Sequence, residues 1–246
     1  LATMDYRFSD AIADPPGISD QLHSEKLFRL ADGFLNYQPA DNSPEVAPLP
    51  LQSKGYCTFG SFNNLAKVTP QVVKIWAQIL TAIPNAKLLI KNKSLSCPEV
   101  RQRYAALFAN ESVDTEQLIF LPTTKTIFNH LSTYNKVDIS LDSFPYNGTT
   151  TTCESLWMGV PPVVLRGDNH GSRVGASILT QVGLDDLIAQ NREDYIAKAI
   201  SLAKEATKLE ALRSTMRDRL QNSPLCDAKG FSEKLEKAFF KMWSEQ

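Results

Sequence analysis

From residue 56 onward, short runs rich in β-branched and aromatic residues alternate with stretches whose apolar positions recur at every third or fourth residue. The spacing predicts strands at 56–62, 87–90, 118–121, 137–141 and 162–165, and helices at 98–108, 127–134, 150–157 and 173–182. A further helix precedes these. Val72, Ile75, Trp76, Ile79, Leu80 and Ile83 form one stripe, and Thr69-Pro70 before it supplies an N-cap and a first-turn proline. Strands and helices in this alternation imply right-handed βαβ crossovers, and so a doubly wound, Rossmann-like α/β fold with a parallel sheet and helices on both faces. After Asn191 three apolar stripes predict C-terminal helices: Tyr195, Ile196, Ala199, Ile200 and Ala203, then Leu209, Leu212, Met216 and Leu220, then Phe231, Leu235, Phe239 and Met242. Pro224 separates the last two. The first fifty residues, punctuated by Pro15, Pro16, Pro39, Pro44, Pro48 and Pro50, read as an irregular approach segment or the edge of something larger.

Composition narrows the partners. The 246 residues are 43% hydrophobic and 22% charged, the profile of a soluble globular protein with ample core. Twenty-six basic against twenty-seven acidic residues leave a formal charge of -1, so no global field draws the chain to nucleic acid or an anionic membrane. There is no apolar run long enough to span a bilayer and no secretory pattern at the start. Cys57, Cys97, Cys153 and Cys226 stand singly and read as reduced thiols, which with the other features predicts a cytoplasmic protein. P-loop, nucleophile-elbow and G-x-G-x-x-G signatures are missing, and no His, Cys or carboxylate pair has a metal-ligand spacing.

Two loops carry candidate chemistry. The stretch from Asp142 to Glu154, DSFPYNGTTTTCE, follows a predicted strand and opens a predicted helix, where a doubly wound sheet places its ligand crevice. Gly148 lets backbone approach a ligand, and the N–H groups and hydroxyls of Thr149, Thr150, Thr151 and Thr152 would meet an anion at the positive end of a helix dipole. A diphosphate suits that site, and Glu154, one turn inside, could accept from a ribose diol. The same residues also fit an N-capped helix with surplus threonines. In the second loop, FGSFNNLAK, Asn64 and Lys67 project at the same sheet end, where a lysine can neutralise phosphate or simply be solvated. His130 lies in a helical pattern and fits a half-buried histidine with one satisfied nitrogen; His23 and His170 have no place in the crevice.

FGSFNNLAKVTP, DISLDSFPYNGTTTTCESLWMGVPPV, SRVGASIL and SPL, with MDYR, ADPPG and SEKL earlier, resemble the catalytic region of the SPINDLY and O-GlcNAc transferase family over nearly the whole chain. The resemblance implies a GT-B architecture and inverting, metal-independent transfer of a sugar from a nucleotide to Ser or Thr of an acceptor protein. It implies that Asn64 and Lys67 address the diphosphate, with Lys67 also offsetting leaving-group charge, and that His130 lies by the base. It further implies that Thr150 and Thr151 bind the phosphates and that Glu154 holds the ribose; Asn147, Gly148 and Thr149 complete the donor-binding set. No cofactor or metal is implied beyond a UDP- or GDP-linked donor, with UDP-GlcNAc and GDP-fucose the two alternatives. On this reading residues 1–54 are a remnant of the acceptor-side lobe and linker, 55–190 the nucleotide-sugar-binding lobe, and 191–246 helices packing on the lobes. The rest of the acceptor lobe and a tetratricopeptide array are expected elsewhere in a longer parent. A nucleotide-sugar-binding module without transfer activity is the competing reading.

Overall fold

The computed structural model describes residues 3–244. Its centre is a six-stranded, all-parallel sheet formed by β3 (Thr58–Ser61), β4 (Lys87–Lys91), β5 (Leu118–Leu121), β6 (Ile139–Leu141), β7 (Pro162–Leu165) and β8 (Ile188–Ala189), in the order β5-β4-β3-β6-β7-β8. The crossovers run through α2 (Pro70–Ala82), α3 (Pro98–Asn110), α4 (Ile127–Ser132), α5 (Thr150–Trp157) and α6 (Val174–Gln181). This is the doubly wound arrangement that the alternation predicts. Strand order reverses between β3 and β6, and a crevice opens at the carboxyl ends of strands flanking such a switch point.

Successive side chains on a strand point to opposite faces, and β4 shows it: Leu88 and Ile90 join the larger core with Trp76, Phe59 and Tyr195, while Leu89 joins a smaller core with Phe62, Leu131, Tyr134 and Met158. Both faces of the sheet are therefore covered. Helix α2 starts as its sequence dictates, with the Thr69 hydroxyl accepting Val72 N–H at 3.4 Å and Pro70 in the first turn. Its Trp76 donates from Nε1 to Tyr195 Oη (3.2 Å), and that hydroxyl donates to Asp142 O (2.9 Å). A buried chain thus ties two helices to the end of β6, directly beneath the candidate site.

Two features differ from the sequence expectations. The opening residues are not wholly irregular: β1 (Tyr6–Ser9) and β2 (Lys26–Arg29) pair in parallel as a separate two-stranded sheet, and α1 (Pro50–Lys54) leads into β3. Proline-rich connections mask such four-residue strands from any periodicity argument. Strand β8, of two residues, is equally invisible. The tail forms α7 (Arg192–Lys204), α8 (Ala206–Gln221) and α9 (Ala228–Ser244), close to the three predicted stripes. From α8, Arg213 donates to Ala47 O (2.6 Å) and Val137 O (2.9 Å), fastening the approach segment to the sheet. Helix α9 docks on the opening residues through Phe239 against Phe8, ring centroids 5.3 Å apart, yet leaves Phe240 and Trp243 78% and 80% exposed. No described helix is long and apolar enough to cross a membrane, and the four cysteines are unpaired.

Candidate nucleotide-sugar site

The two loops predicted to converge do so at the carboxyl ends of β3 and β6. Asp142, fully buried where β6 ends, organises them through one oxygen: Oδ1 accepts Gly148 N–H (2.8 Å), Ser143 N–H (2.9 Å) and Asn63 Nδ2 (2.9 Å). Asn63 in turn accepts the Thr151 hydroxyl at 2.8 Å, so the β3 loop is bound to the first turn of α5. A Cβ at Gly148 would lie 2.5 Å from Thr151 Oγ1, 2.8 Å from Thr152 Oγ1 and 2.9 Å from Asn63 Oδ1. Only glycine fits this approach. Thr149 precedes α5 without capping it, and Thr150 and Thr151 occupy its first two positions, where N–H groups have no intrahelical acceptor. An anion is the natural partner for that end.

Lys67 reaches the same turn. Its Nζ donates to Asn147 O at 2.8 Å and lies 4.1 Å from the centre of the exposed Tyr146 ring. Burial pulls the ammonium below the usual lysine range and the Asp142 carboxylate opposes the shift. Asn147 is consumed by architecture: its side chain donates to Ser143 O (3.1 Å) and accepts Gly175 N–H (3.2 Å), so it shapes the loop and presents no free group. Asn64 is exposed and spends its carbonyl on Ala66 N–H (3.0 Å), leaving its amide nitrogen for a ligand.

The far end of the crevice holds a relay that sequence reasoning does not assemble. Lys91, at the end of β4 and 3% exposed, donates to His130 Nδ1 at 2.7 Å and to Thr124 Oγ1 at 3.2 Å. An ammonium can only donate, so Nδ1 carries the lone pair and Nε2–H donates to Glu154 Oε2 at 2.9 Å. His130 therefore has both nitrogens satisfied, not one, and offers a ligand its ring rather than a hydrogen bond. Tyr134 Oη, 3.2 Å from the same oxygen, adds a second donor, and its ring stacks on Phe62 with centroids 3.7 Å apart. Glu154 Oε1 has no hydrogen bond among the described residues. Burial pushes the Lys91 ammonium down to about 8, against the pull of Glu154, while burial and the same carboxylate push the Tyr134 phenol well above its ordinary value.

The nine residues singled out in the sequence all fall at one sheet edge, where Lys91, Asn63, Asp142 and Tyr134, which the sequence does not single out as ligand contacts, join them. Lys91 alone left a legible trace: a lysine closing an apolar strand, KLLIK, at the ligand end of a parallel sheet. Among the described residues no group of three or more His, Cys, Asp or Glu is placed to hold a metal.

Comparison with known proteins places this geometry. The sequence model of glycosyl transferase family 41 matches residues 47–235. The chain is 46% identical over 99% of its length to a probable UDP-N-acetylglucosamine–peptide N-acetylglucosaminyltransferase SPINDLY of Solanum lycopersicum, and 44% identical over its full length to that of Arabidopsis thaliana. It spans about a quarter of these relatives, 26% and 27% of their lengths. A mutant of Thermobaculum terrenum O-GlcNAc transferase superposes with a TM-score of 0.91 at 36% identity, covering 98% of this chain and 45% of that one, and the parallel sheet is of the GT-B type. The chain belongs to glycosyl transferase family 41.

Proposed function

We propose that this chain is the donor-binding lobe of a protein O-glycosyltransferase, holding a nucleoside diphosphate sugar whose sugar the longer polypeptide transfers to Ser or Thr of a protein. The carrying observation is the convergence, on one sheet edge, of the open start of α5, the Lys67 ammonium and the Lys91–His130–Glu154 relay. Relatives of this chain are named for UDP-N-acetylglucosamine and a peptide acceptor, which supports the donor and acceptor classes.

Each residue then has a physical task. The N–H groups of Thr150 and Thr151 take diphosphate oxygens, and Lys67 supplies the compact positive charge that an anionic leaving group needs as its bond to the sugar breaks. Glu154 Oε1, unspent in the relay, accepts from the ribose diol, while the His130 ring lies against the base. Ammonium and backbone dipoles supply the charge that a divalent cation would otherwise bring, which supports transfer without metal, and the family resemblance implies inversion at the anomeric carbon. The donor is UDP-GlcNAc or GDP-fucose. Transfer requires an acceptor held in line and a route for its proton. The relay and the diphosphate turn supply neither, so this chain alone binds donor without glycosylating peptide. A thermal-shift panel of UDP- and GDP-sugars tests the reading: stabilisation by one nucleotide class, lost in Glu154→Ala, supports it, and no stabilisation by either class removes it.

A further inference from the structure

His23 and His170, which sequence reasoning leaves without a role, meet at a buried carboxylate. Asp14 is fully buried after β1; its Oδ2 accepts from Ser9 Oγ and from His170 Nδ1 at 2.7 Å, and its Oδ1 faces His23 Nε2 at 3.3 Å. Burial works against this charge, yet the hydrogen bonds from Ser9 and His170 hold the carboxyl below its ordinary range. A carboxylate only accepts, so His170 presents Nδ1–H to it, and in the neutral ring the lone pair sits on Nε2. That nitrogen has no hydrogen-bond partner among the described residues, and the His170 side chain remains 21% exposed. Phe34 lies beside the imidazole, centroids 5.1 Å apart.

The position of this cluster follows from strand order. Lys91 ends β4, Lys67 follows β3, the threonine turn follows β6, and His170 follows β7, the next strand along the same edge. Asn147 N–H donates to Gly171 O at 2.8 Å, and a Cβ on Gly171 would be 3.2 Å from the Tyr146 ring that carries the Lys67 ammonium. A nucleotide sugar joins nucleoside, diphosphate and sugar in that order through rotatable bonds. With the nucleoside at the β4 end and the diphosphate over β3 and β6, as proposed above, the β7 loop that is hydrogen-bonded to Asn147 is within reach of the sugar.

We propose that the Asp14–His170–His23 cluster is the sugar-recognition subsite, in which His170 Nε2, oriented by Asp14, accepts a hydrogen bond from a hydroxyl of the donor's sugar beside the Phe34 ring. This rests on the donor-lobe reading above and adds the group that tells one sugar from another. The test is calorimetry of this chain and its His170→Ala and His170→Gln variants with UDP, GDP, UDP-N-acetylglucosamine and GDP-fucose. His170→Ala should leave the affinity for the free nucleoside diphosphate within about twofold and weaken its sugar-linked form about tenfold, the loss of one such bond. His170→Gln, which keeps an acceptor, should recover part of that loss. Nitrogen-15 spectra should show His170 as the Nδ1–H tautomer, with Nε2 shifted by the nucleotide sugar and not by the nucleoside diphosphate. Equal losses for free and sugar-linked ligands, or no loss for either, overturn the subsite alone. A wild-type chain that binds no nucleoside diphosphate overturns the donor-lobe reading and the subsite with it.

Discussion

Replacing Asp142 by asparagine isolates the charge at the centre of the two site loops. The carboxyl is fully buried, Oδ1 takes three donors, and Oδ2 has no partner. Burial raises it from 3.8 to about 6, against the hydrogen bonds of Gly148, Asn63 and Ser143 and the field of Lys67. At 1.36 kcal/mol per pH unit, that displacement is about 3 kcal/mol of charging cost. The sign follows from proton binding: between pH 3.8 and about 6 the folded state retains a proton that the unfolded state has released, so stability falls through this window and then levels off. Asparagine keeps the acceptor at Oδ1 and cannot ionise. Urea unfolding of both proteins from pH 4 to 8 should therefore show the stability of Asp142→Asn relative to wild type rising by up to about 3 kcal/mol between pH 4 and about 6 and staying level above, whatever fixed offset the new amide imposes. A difference that does not change with pH would refute the buried-charge reasoning.

Lys67→Ala in the full-length enzyme should cost about 3 kcal/mol of barrier, roughly two orders of magnitude in turnover, with a smaller change in donor affinity; steady-state kinetics with unchanged turnover and a raised KM would reassign Lys67 to uniform binding. Because burial brings the Lys91 ammonium down to about 8, nucleotide affinity should decline as pH rises through 8, and Lys91→Arg should remove the decline between pH 8 and 9.5; an identical profile in both proteins would exclude Lys91 as its source. Gly148→Ala, which drives a methyl to within 2.5 Å of Thr151 Oγ1, should abolish nucleotide binding before it unfolds the chain, as read by calorimetry alongside circular dichroism. Phe240→Glu with Trp243→Glu should reduce any concentration-dependent association seen by sedimentation, since these side chains form the exposed apolar end of α9.

Sequence pattern reaches the parallel sheet, its crossovers and the C-terminal helices because each element there is long or regularly spaced. It misses β1, β2 and β8, whose two to four residues carry no period, and it cannot see that Phe8 supplies a surface for Phe239. The threonine turn is legible because glycine, hydroxyls and a helix start coincide within a few residues. The relay is not, since Lys91 and Glu154 lie far apart in sequence and become partners only through His130. The same holds for Asp14 and His170, 156 residues apart and 2.7 Å from contact atom to contact atom. In SFNN the resemblance singles out the exposed Asn64, and local pattern gives no sign that its buried neighbour Asn63 joins Asp142 to Thr151.

On the proposed reading this sheet edge binds a nucleoside diphosphate without metal, its phosphates neutralised by backbone dipoles and ammonium groups and its ribose held by Glu154. Calorimetric titration of the chain with UDP and with GDP, in buffer containing a chelator and again with Mg²⁺ or Mn²⁺, addresses it directly. One-to-one binding of at least one nucleotide is expected in chelator, unchanged by added metal and weakened by Lys67→Ala and Glu154→Ala. Binding that occurs only with the divalent cation, or no binding of either nucleotide, would contradict it.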